Sequence, residues 1–413
     1  MGMRNKKKRV YPRQNPQVFG NGRLTSVELF AGAGGLALGV AKAGFTHRAV
    51  IEYDGDSCET LQSNQATGIK PFGGWPIFHR DAREYDYSAL TEKIVLVAGG
   101  PPCQPFSLAG KHKGFRDMRD MFPEAIRAVR ALSPQAVIFE NVKGLLRPSF
   151  SRYFEYILLQ LSYPDIGGWN DESWNDHLTR LEKHHTQHKK TGMSYKVLFR
   201  LMNAADYGVP QKRERVFFVG IRSDIDLEWS FPAPTHSHDA LLFDQWVSGK
   251  YWERHGVSKK AIPPMEQRYA VKVARLKSSL FPPSLKPWMT VRDAISDLPD
   301  PRSKEAKDID NHVFNPGAKT YPGHTGSPLD EPAKTLKAGD HGVPGGENML
   351  VAPSGEVRYF TVRESARLQT FPDDYFFPGS WTESMRQIGN AVPVQLGYAV
   401  ANSIAKLVRK VSR

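Results

Sequence analysis

Short apolar runs rich in β-branched residues recur along the first half of the chain: VELF at 27–30, AVIE at 49–52, IVLV at 94–97 and AVIF at 136–139, with helix-like stretches between them. That alternation predicts an α/β domain built on a parallel sheet with covering helices. Two further runs, YKVLFR at 195–200 and VFFVGI at 216–221, have too little chain between them for a helical crossover. They are expected to close the sheet as an antiparallel pair. Beyond about residue 221 the alternation stops, and 301–356 is rich in Gly, Pro and His without clear periodicity. A second, loop-rich domain is expected there. The final stretch, QLGYAVANSIAKLVRKV, regains apolar positions at helical spacing and reads as a helix packing back on the first domain.

With 413 residues the chain is long enough for two or three domains, and 40% hydrophobic and 24% charged residues are ordinary for a soluble protein. No apolar run approaches the roughly 20 residues that a membrane span needs. The basic N-terminus lacks the apolar segment of a secretory signal. Export is therefore not expected. The only cysteines are Cys58 and Cys103, which fits a reducing compartment rather than a disulfide scaffold. A net charge of +13 suggests a polyanionic partner. Residues 1–23 carry seven Lys or Arg and no acidic residue, which reads as a solvated tail or as an arm touching DNA without sequence preference. His177, His184, His185 and His188 invite a metal site within 164–190, but no cysteine is near and the polar surroundings read as a solvated insertion.

Four segments carry candidate chemistry. In VELFAGAGGLALG, 27–39, a strand runs into a Gly-rich turn and a helix, a setting in which a nucleotide-like cofactor approaches the backbone. The turn matches the dinucleotide spacing poorly. Glu52 ends the next strand, placed to accept hydrogen bonds from ribose hydroxyls, with Tyr53 beside it to stack on an adenine. GGPPCQPFS, 99–107, follows a strand directly, so Cys103 lies on a loop at the edge where open α/β sheets bind ligands, as a nucleophile would. Cys58 lacks that context and reads as structural. FENVKGL, 139–145, puts Glu140 at the same edge. In QKRERVFFVG, 211–220, Arg213 and Arg215 alternate and would face one way in an extended segment, suiting them to clamp a phosphate or carbonyl oxygen.

Taken in order, FAGAGG, Glu52, Asp81, GGPPCQPFS, ENV, QKRER, RESARLQTFPDDY (363–375) and QIGNAVP (387–393) resemble the DNA (cytosine-5)-methyltransferase family of bacterial restriction–modification systems, over most of the chain. The resemblance implies a Rossmann-like S-adenosylmethionine-dependent sheet carrying a smaller target-recognition domain. The implied boundaries are 1–23 tail, 24–225 catalytic, 226–384 recognition and hinge, and 385–413 returning helix. It implies Cys103 as nucleophile on a flipped-out cytosine, a protonated Glu140 on ring nitrogen 3, Arg215 on the ring carbonyl, and Arg213 with Gln104 and Ser107 near the loop and DNA. It places Phe30, Gly32, Gly34, Glu52, Tyr53, Asp81, Asn390 and Val392 around S-adenosylmethionine. Residues 107–120, with Gly110 and Gly114 as hinges, would close over the base, and 331–348 would contact DNA. The implied setting is a monomer in the bacterial cytoplasm, associated with the nucleoid and paired functionally with a restriction endonuclease. Two departures stand out: Glu28 where Asp is common, and the polar insertion at 164–190. An RNA methyltransferase of the same fold, which the long recognition region disfavours, and a noncatalytic DNA-binding protein, which Cys103 and Glu140 disfavour, are the competing readings.

Overall fold

The computed structural model describes residues 23–68, 73–102, 120–169, 171–187, 192–225, 228–322, 325–338 and 348–411. The basic tail up to residue 22, the loop 103–119, His188 and most of 339–348 therefore lie outside the described residues.

Seven strands form the central sheet: β1 (Thr25–Leu29), β2 (Thr46–Glu52), β3 (Ile77–His79), β4 (Leu96–Gly99), β5 (Ala136–Val142), β6 (Tyr195–Asn203) and β7 (Glu214–Arg222). Their order is β3-β2-β1-β4-β5-β7-β6. The first five are parallel, and β7 runs antiparallel to both of its neighbours. This is the α/β sheet that the apolar runs predict, with the Rossmann-like character that the resemblance implies. The four leading runs became β1, β2, β4 and β5. β3 had no signal of its own: three residues at the sheet's edge, partly exposed, give periodicity nothing to register.

The reversal of β7 matters for the site. It brings the beginning of β7 to the edge where β5 ends, so that Val142 sits opposite Arg215 and Asn203, at the end of β6, opposite Glu214.

Helices α1 (Gly35–Lys42), α2 (Gly55–Ala66), α3 (Phe122–Leu132), α4 (Ser151–Ser162) and α5 (Trp174–Thr186) belong to this first half. Successive strand residues serve opposite faces. Leu96, Ile138, Phe217 and Val219 join Leu36 and Val40 of α1 on one face, whereas Val97, Phe139 and Phe218 join Phe122 and Ile126 of α3 and Ile157 of α4 on the other. The insertion is not simply solvated. Its Ser173 side chain accepts from the Asp176 N–H and caps α5, and Leu178 and Leu181 are buried in the same cluster as α4. His177 is a core residue with both ring nitrogens used, one by the Tyr156 hydroxyl at 2.8 Å and one by the Ile166 carbonyl at 2.8 Å.

The second half contains α6 (His238–Trp246), α7 (Lys250–Arg254), α8 (Ala270–Lys277), α9 (Val291–Ile295), α10 (Val362–Leu368), α11 (Trp381–Asn390) and α12 (Val394–Val411). Among the described residues of 301–356 regular structure is sparse, with strands of two or three residues, but 238–277 carries helices of five to nine residues, too short to show a period. Residues 238–288 carry small clusters of their own around Tyr251 and Trp252 and around Leu242 and Val273. The segment from Val291 to Val394 instead shares one core with Ala33, Ala37 and Leu61 of the first half. The last helix packs back as expected, backbone against backbone: a Cβ on Gly39 would lie 2.5 Å from the Tyr398 nitrogen.

Candidate active site

The Gly-rich turn begins where β1 ends. Phe30 has a φ of 54°, Gly32 of 52° and Gly34 of 79°. A bulky residue in the left-handed region is strained, and such strain concentrates at functional sites. The glycines serve different ends. A Cβ on Gly35 would lie 2.2 Å from the Val392 carbonyl oxygen, so close packing demands glycine there. At Gly32 a Cβ would meet nothing within 4 Å, which leaves open space in front of the turn.

Glu52 holds this turn from the end of β2. One carboxylate oxygen accepts from the Gly32 N–H at 2.6 Å, and the other from the N–H groups of Tyr53 and Asp54 at 2.9 and 2.8 Å. Burial raises its pKa, and these three donors pull it back. Tyr53 is 71% exposed beside it, with its ring available for stacking. Asp81 is gripped by Arg83, whose Nε lies 3.0 Å from both carboxylate oxygens, and this partner lowers its pKa. Asn390 ends α11 exposed, while Val392 is buried against α1. Open space before Gly32, a buried carboxylate and an exposed aromatic ring suit an adenosine-bearing ligand with a positive group. The residues fit S-adenosylmethionine.

The second half of the site surrounds Glu140. β4 ends at Gly99, where a Cβ would collide with the Leu29 carbonyl oxygen at 2.4 Å, so β1 and β4 run in close contact. The chain then passes Gly100 and the two prolines. The Asn141 side chain donates to the Pro101 carbonyl at 3.0 Å, and the Met121 N–H donates to the Pro102 carbonyl at 3.1 Å. The described chain thus breaks off at Pro102 and resumes at Asp120 beside the same point of the sheet edge. Cys103, Gln104 and Ser107, with the hinge glycines, lie outside the described residues. Glu140 lies beside the approach to Cys103: a Cβ on Gly100 would be 3.3 Å from its Oε2.

Arg215 Nε stands 2.9 Å from Glu140 Oε1, although that oxygen has no aligned hydrogen bond. Both side chains are nearly buried, at 12% and 9% exposure. Burial pushes the Glu140 carboxyl upward, against the pull of Arg215 and then Arg213, and the net direction is up. A cavity of about 390 Å³ lined by Lys143, Asn203, Lys212, Glu214, Arg215 and Thr335 opens at this edge.

Arg213 lies elsewhere than the alternation implied. It is fully buried and donates to the carbonyls of Leu336, Gly389 and Ala391 at 3.0, 2.7 and 2.9 Å. It precedes β7, which begins at Glu214, so the two-residue period has no hold on it. Arg215 alone of the two has its nitrogen on Glu140. The group at 211–215 is instead a junction: the Gln211 side-chain amide donates to the Leu368 carbonyl at 3.2 Å and to Gln369 at 3.1 Å, and Gln369 donates in turn to the Ile388 carbonyl at 2.6 Å.

Sequence reasoning assigned no role to Tyr375 or Asn64. The Tyr375 hydroxyl donates to the Ala33 carbonyl inside the Gly-rich turn at 2.6 Å, and the Asn64 side chain pairs with both backbone groups of Phe376 at 2.8 and 2.7 Å. The only available hint was a tyrosine closing the segment RESARLQTFPDDY. Among the described residues one acidic cluster, Asp54, Asp56 and Glu383, has metal-like spacing. Arg386 occupies it instead, bonding Glu383 at 2.6 Å and Asp54 at 2.8 Å.

Comparison with known proteins adds four findings. The family model for the C-5 cytosine-specific DNA methylase matches residues 24–165 and 175–406, breaking inside the insertion. The Type II methyltransferase M.Eco47II of Escherichia coli is 33% identical over 399 residues, covering 95% of this chain and 81% of that protein. M.NgoMIV of Neisseria gonorrhoeae, another Type II methyltransferase, is 31% identical over 393 residues, covering 94% and 99%. In fold, the S. pombe Dnmt2 methyltransferase superposes with a TM-score of 0.54 at 17% identity, covering 95% of this chain and 100% of that one.

Proposed function

The chain belongs to the C-5 cytosine-specific DNA methylase family, and from that premise we propose how its residues divide the work on a cytosine within a specific duplex sequence. The single observation that carries the reading is the buried Glu140–Arg215 pair beside the strand end that leads to Cys103.

Carbon 5 of cytosine is a weak nucleophile, and addition of a thiolate to carbon 6 turns the ring into a reactive enamine. Cys103 makes that bond. Electron density flows toward ring nitrogen 3, where Glu140, held toward its acid form by burial, donates a proton. Arg215 keeps that carboxyl in place and offers its remaining N–H groups to the ring carbonyl. The ring must leave the helix stack first, at a cost of about a few kcal/mol, and residues 107–120 close over it. S-adenosylmethionine, when bound, supplies the methyl group. The Gly32–Gly34 turn would receive it, Glu52 would hold the ribose, Phe30 and Tyr53 the adenine face and Asp81 the adenine amine, with Asn390 and Val392 at its rim.

Residues 24–225 form the catalytic part and 226–384 the recognition part, with 385–413 returning to the sheet. The shared core of Val291–Val394 with α1 and α2 supports a recognition segment rooted firmly in the catalytic one. The partner is double-stranded DNA, bound by a monomer in the bacterial cytoplasm. Its relatives are named Type II methyltransferases, which supports a biological role in protecting host DNA from a cognate endonuclease. No helix among the described residues is long and apolar enough to cross a membrane. Incubation with methyl-labelled S-adenosylmethionine and either duplex DNA or transfer RNA tests the assignment. Label should enter duplex DNA as 5-methylcytosine; label in transfer RNA alone overturns the DNA reading.

A further inference from the structure

The stretch 270–287 is unlike the region around it. Across 221–358 there are 18 Lys or Arg and 18 Asp or Glu, yet 270–287 contains Lys272, Arg275, Lys277 and Lys286 and no acidic residue. Lys272 and Arg275 are ion-paired with Asp239. Lys277, ending α8, and Lys286 are exposed and form no ion pair among the described residues. Between them the chain shows Leu280 and Phe281 to solvent, 91% and 78% exposed, and Val271 is 85% exposed. These are the three most exposed large apolar side chains among the described residues. A concentration of this kind marks an interaction surface. Pro282 and Pro283 follow directly and restrict the backbone, which lowers the entropy lost when the tip is held against a partner.

The root of this loop is fixed. The Lys286 N–H donates to the Thr235 carbonyl at 3.1 Å, and the Trp288 indole donates to Asp206 at 2.9 Å. Asp206 belongs to the turn Ala204–Tyr207 that follows β6 at the edge holding Glu140 and Arg215. Apolar tip, flanking cations and anchorage at the catalytic edge fit one partner class, a nucleic-acid duplex, with its anionic backbone on either side of stacked apolar faces.

We infer that the loop 278–285 is a wedge that presses Leu280 and Phe281 against the bases or sugars of duplex DNA while Lys277 and Lys286 hold the flanking phosphates. This rests on the reading of the chain as a duplex-DNA methyltransferase. The test uses the full chain and a fluorescent duplex that the wild type methylates. Loss of one stacked aromatic contact in Phe281→Ala should weaken the duplex about 5- to 150-fold, with S-adenosylmethionine affinity and melting temperature unchanged. Phe281→Tyr should restore binding. In Lys277→Gln combined with Lys286→Gln, the slope of log affinity against log salt should become shallower by about 1.8. Unchanged duplex affinity and slope in these folded variants overturn the inference. So does a shift from dimer to monomer in sedimentation of Phe281→Ala, which would assign the patch to a second copy of the chain. If the wild type neither binds nor methylates duplex DNA, the parent reading falls together with this one.

Discussion

Replacing Tyr375 by Phe removes one oxygen atom from the fully buried contact between the late segment and the Gly-rich turn. The Ala33 carbonyl, on a residue only 1% exposed, then loses its side-chain donor. Leaving such a group unpaired costs about 1–3 kcal/mol, which for a chain of this size lowers the melting temperature by a few degrees at about 2 °C per kcal/mol. Burial raises the tyrosine pKa, so the hydroxyl remains a donor throughout the working pH range. The turn it supports also carries Gly32, whose N–H meets Glu52. If about 1.0–1.4 kcal/mol of the penalty is expressed in ordering that turn around a ligand, S-adenosylmethionine affinity falls about 5- to 10-fold. Turnover at saturating cofactor should change little, because the hydroxyl is not placed at the reacting base. Calorimetric titration and melting curves on the same preparations measure both quantities. A lowered melting temperature with unchanged cofactor affinity would show that Tyr375 holds the fold without positioning the turn.

Three further outcomes follow from named groups. Glu28 is 1% exposed, Oε2 has no hydrogen-bond partner, and burial raises its pKa; its contribution to stability is therefore full below the ordinary value of 4.5 and is lost as pH rises toward the folded pKa. Glu28→Gln should accordingly gain on the wild type in denaturant midpoint as pH rises from 5 to 8, and a difference independent of pH would contradict the cause given. Arg213→Ala leaves three carbonyls without their donor and should cost roughly 3–5 kcal/mol in denaturant unfolding; wild-type stability with lost activity would place the side chain at the substrate after all. Glu52→Ala should chiefly weaken S-adenosylmethionine binding in calorimetry, about 10-fold or more for a lost charge-assisted hydrogen bond, and an unchanged affinity would count against its role.

The legible parts of this chain were those where local pattern and chemistry coincide. Apolar runs that end at or lead into Glu52, Gly99 and Glu140 pointed to the strands and to the candidate site together, because residues at strand ends of a parallel sheet meet on one edge. Arg215 was singled out by alternation with Arg213 rather than by a strand end, since β7 is antiparallel and begins at Glu214; Arg213, one residue before the strand, escapes that period, and sequence shows no such boundary. Tyr375 acts on a carbonyl 342 residues earlier and Asn64 on a segment 312 residues later. Contacts of that range leave no trace in local periodicity. The α5 insertion was misread as solvated because its buried face amounts to His177, Leu178 and Leu181 among many polar neighbours.

Covalent catalysis by Cys103 at the Glu140 edge requires a proton to leave carbon 5 before the thiol can be released. Fluorine cannot leave as a proton. Duplex DNA carrying 5-fluorocytosine at the target position should therefore trap the enzyme, in the presence of S-adenosylmethionine, as a complex stable to denaturing electrophoresis, with the cross-link mapping to Cys103 and absent in Cys103→Ser. Wild-type protein that methylates ordinary cytosine at that position but forms no adduct on the fluorinated duplex would rule out a covalent Cys103 intermediate.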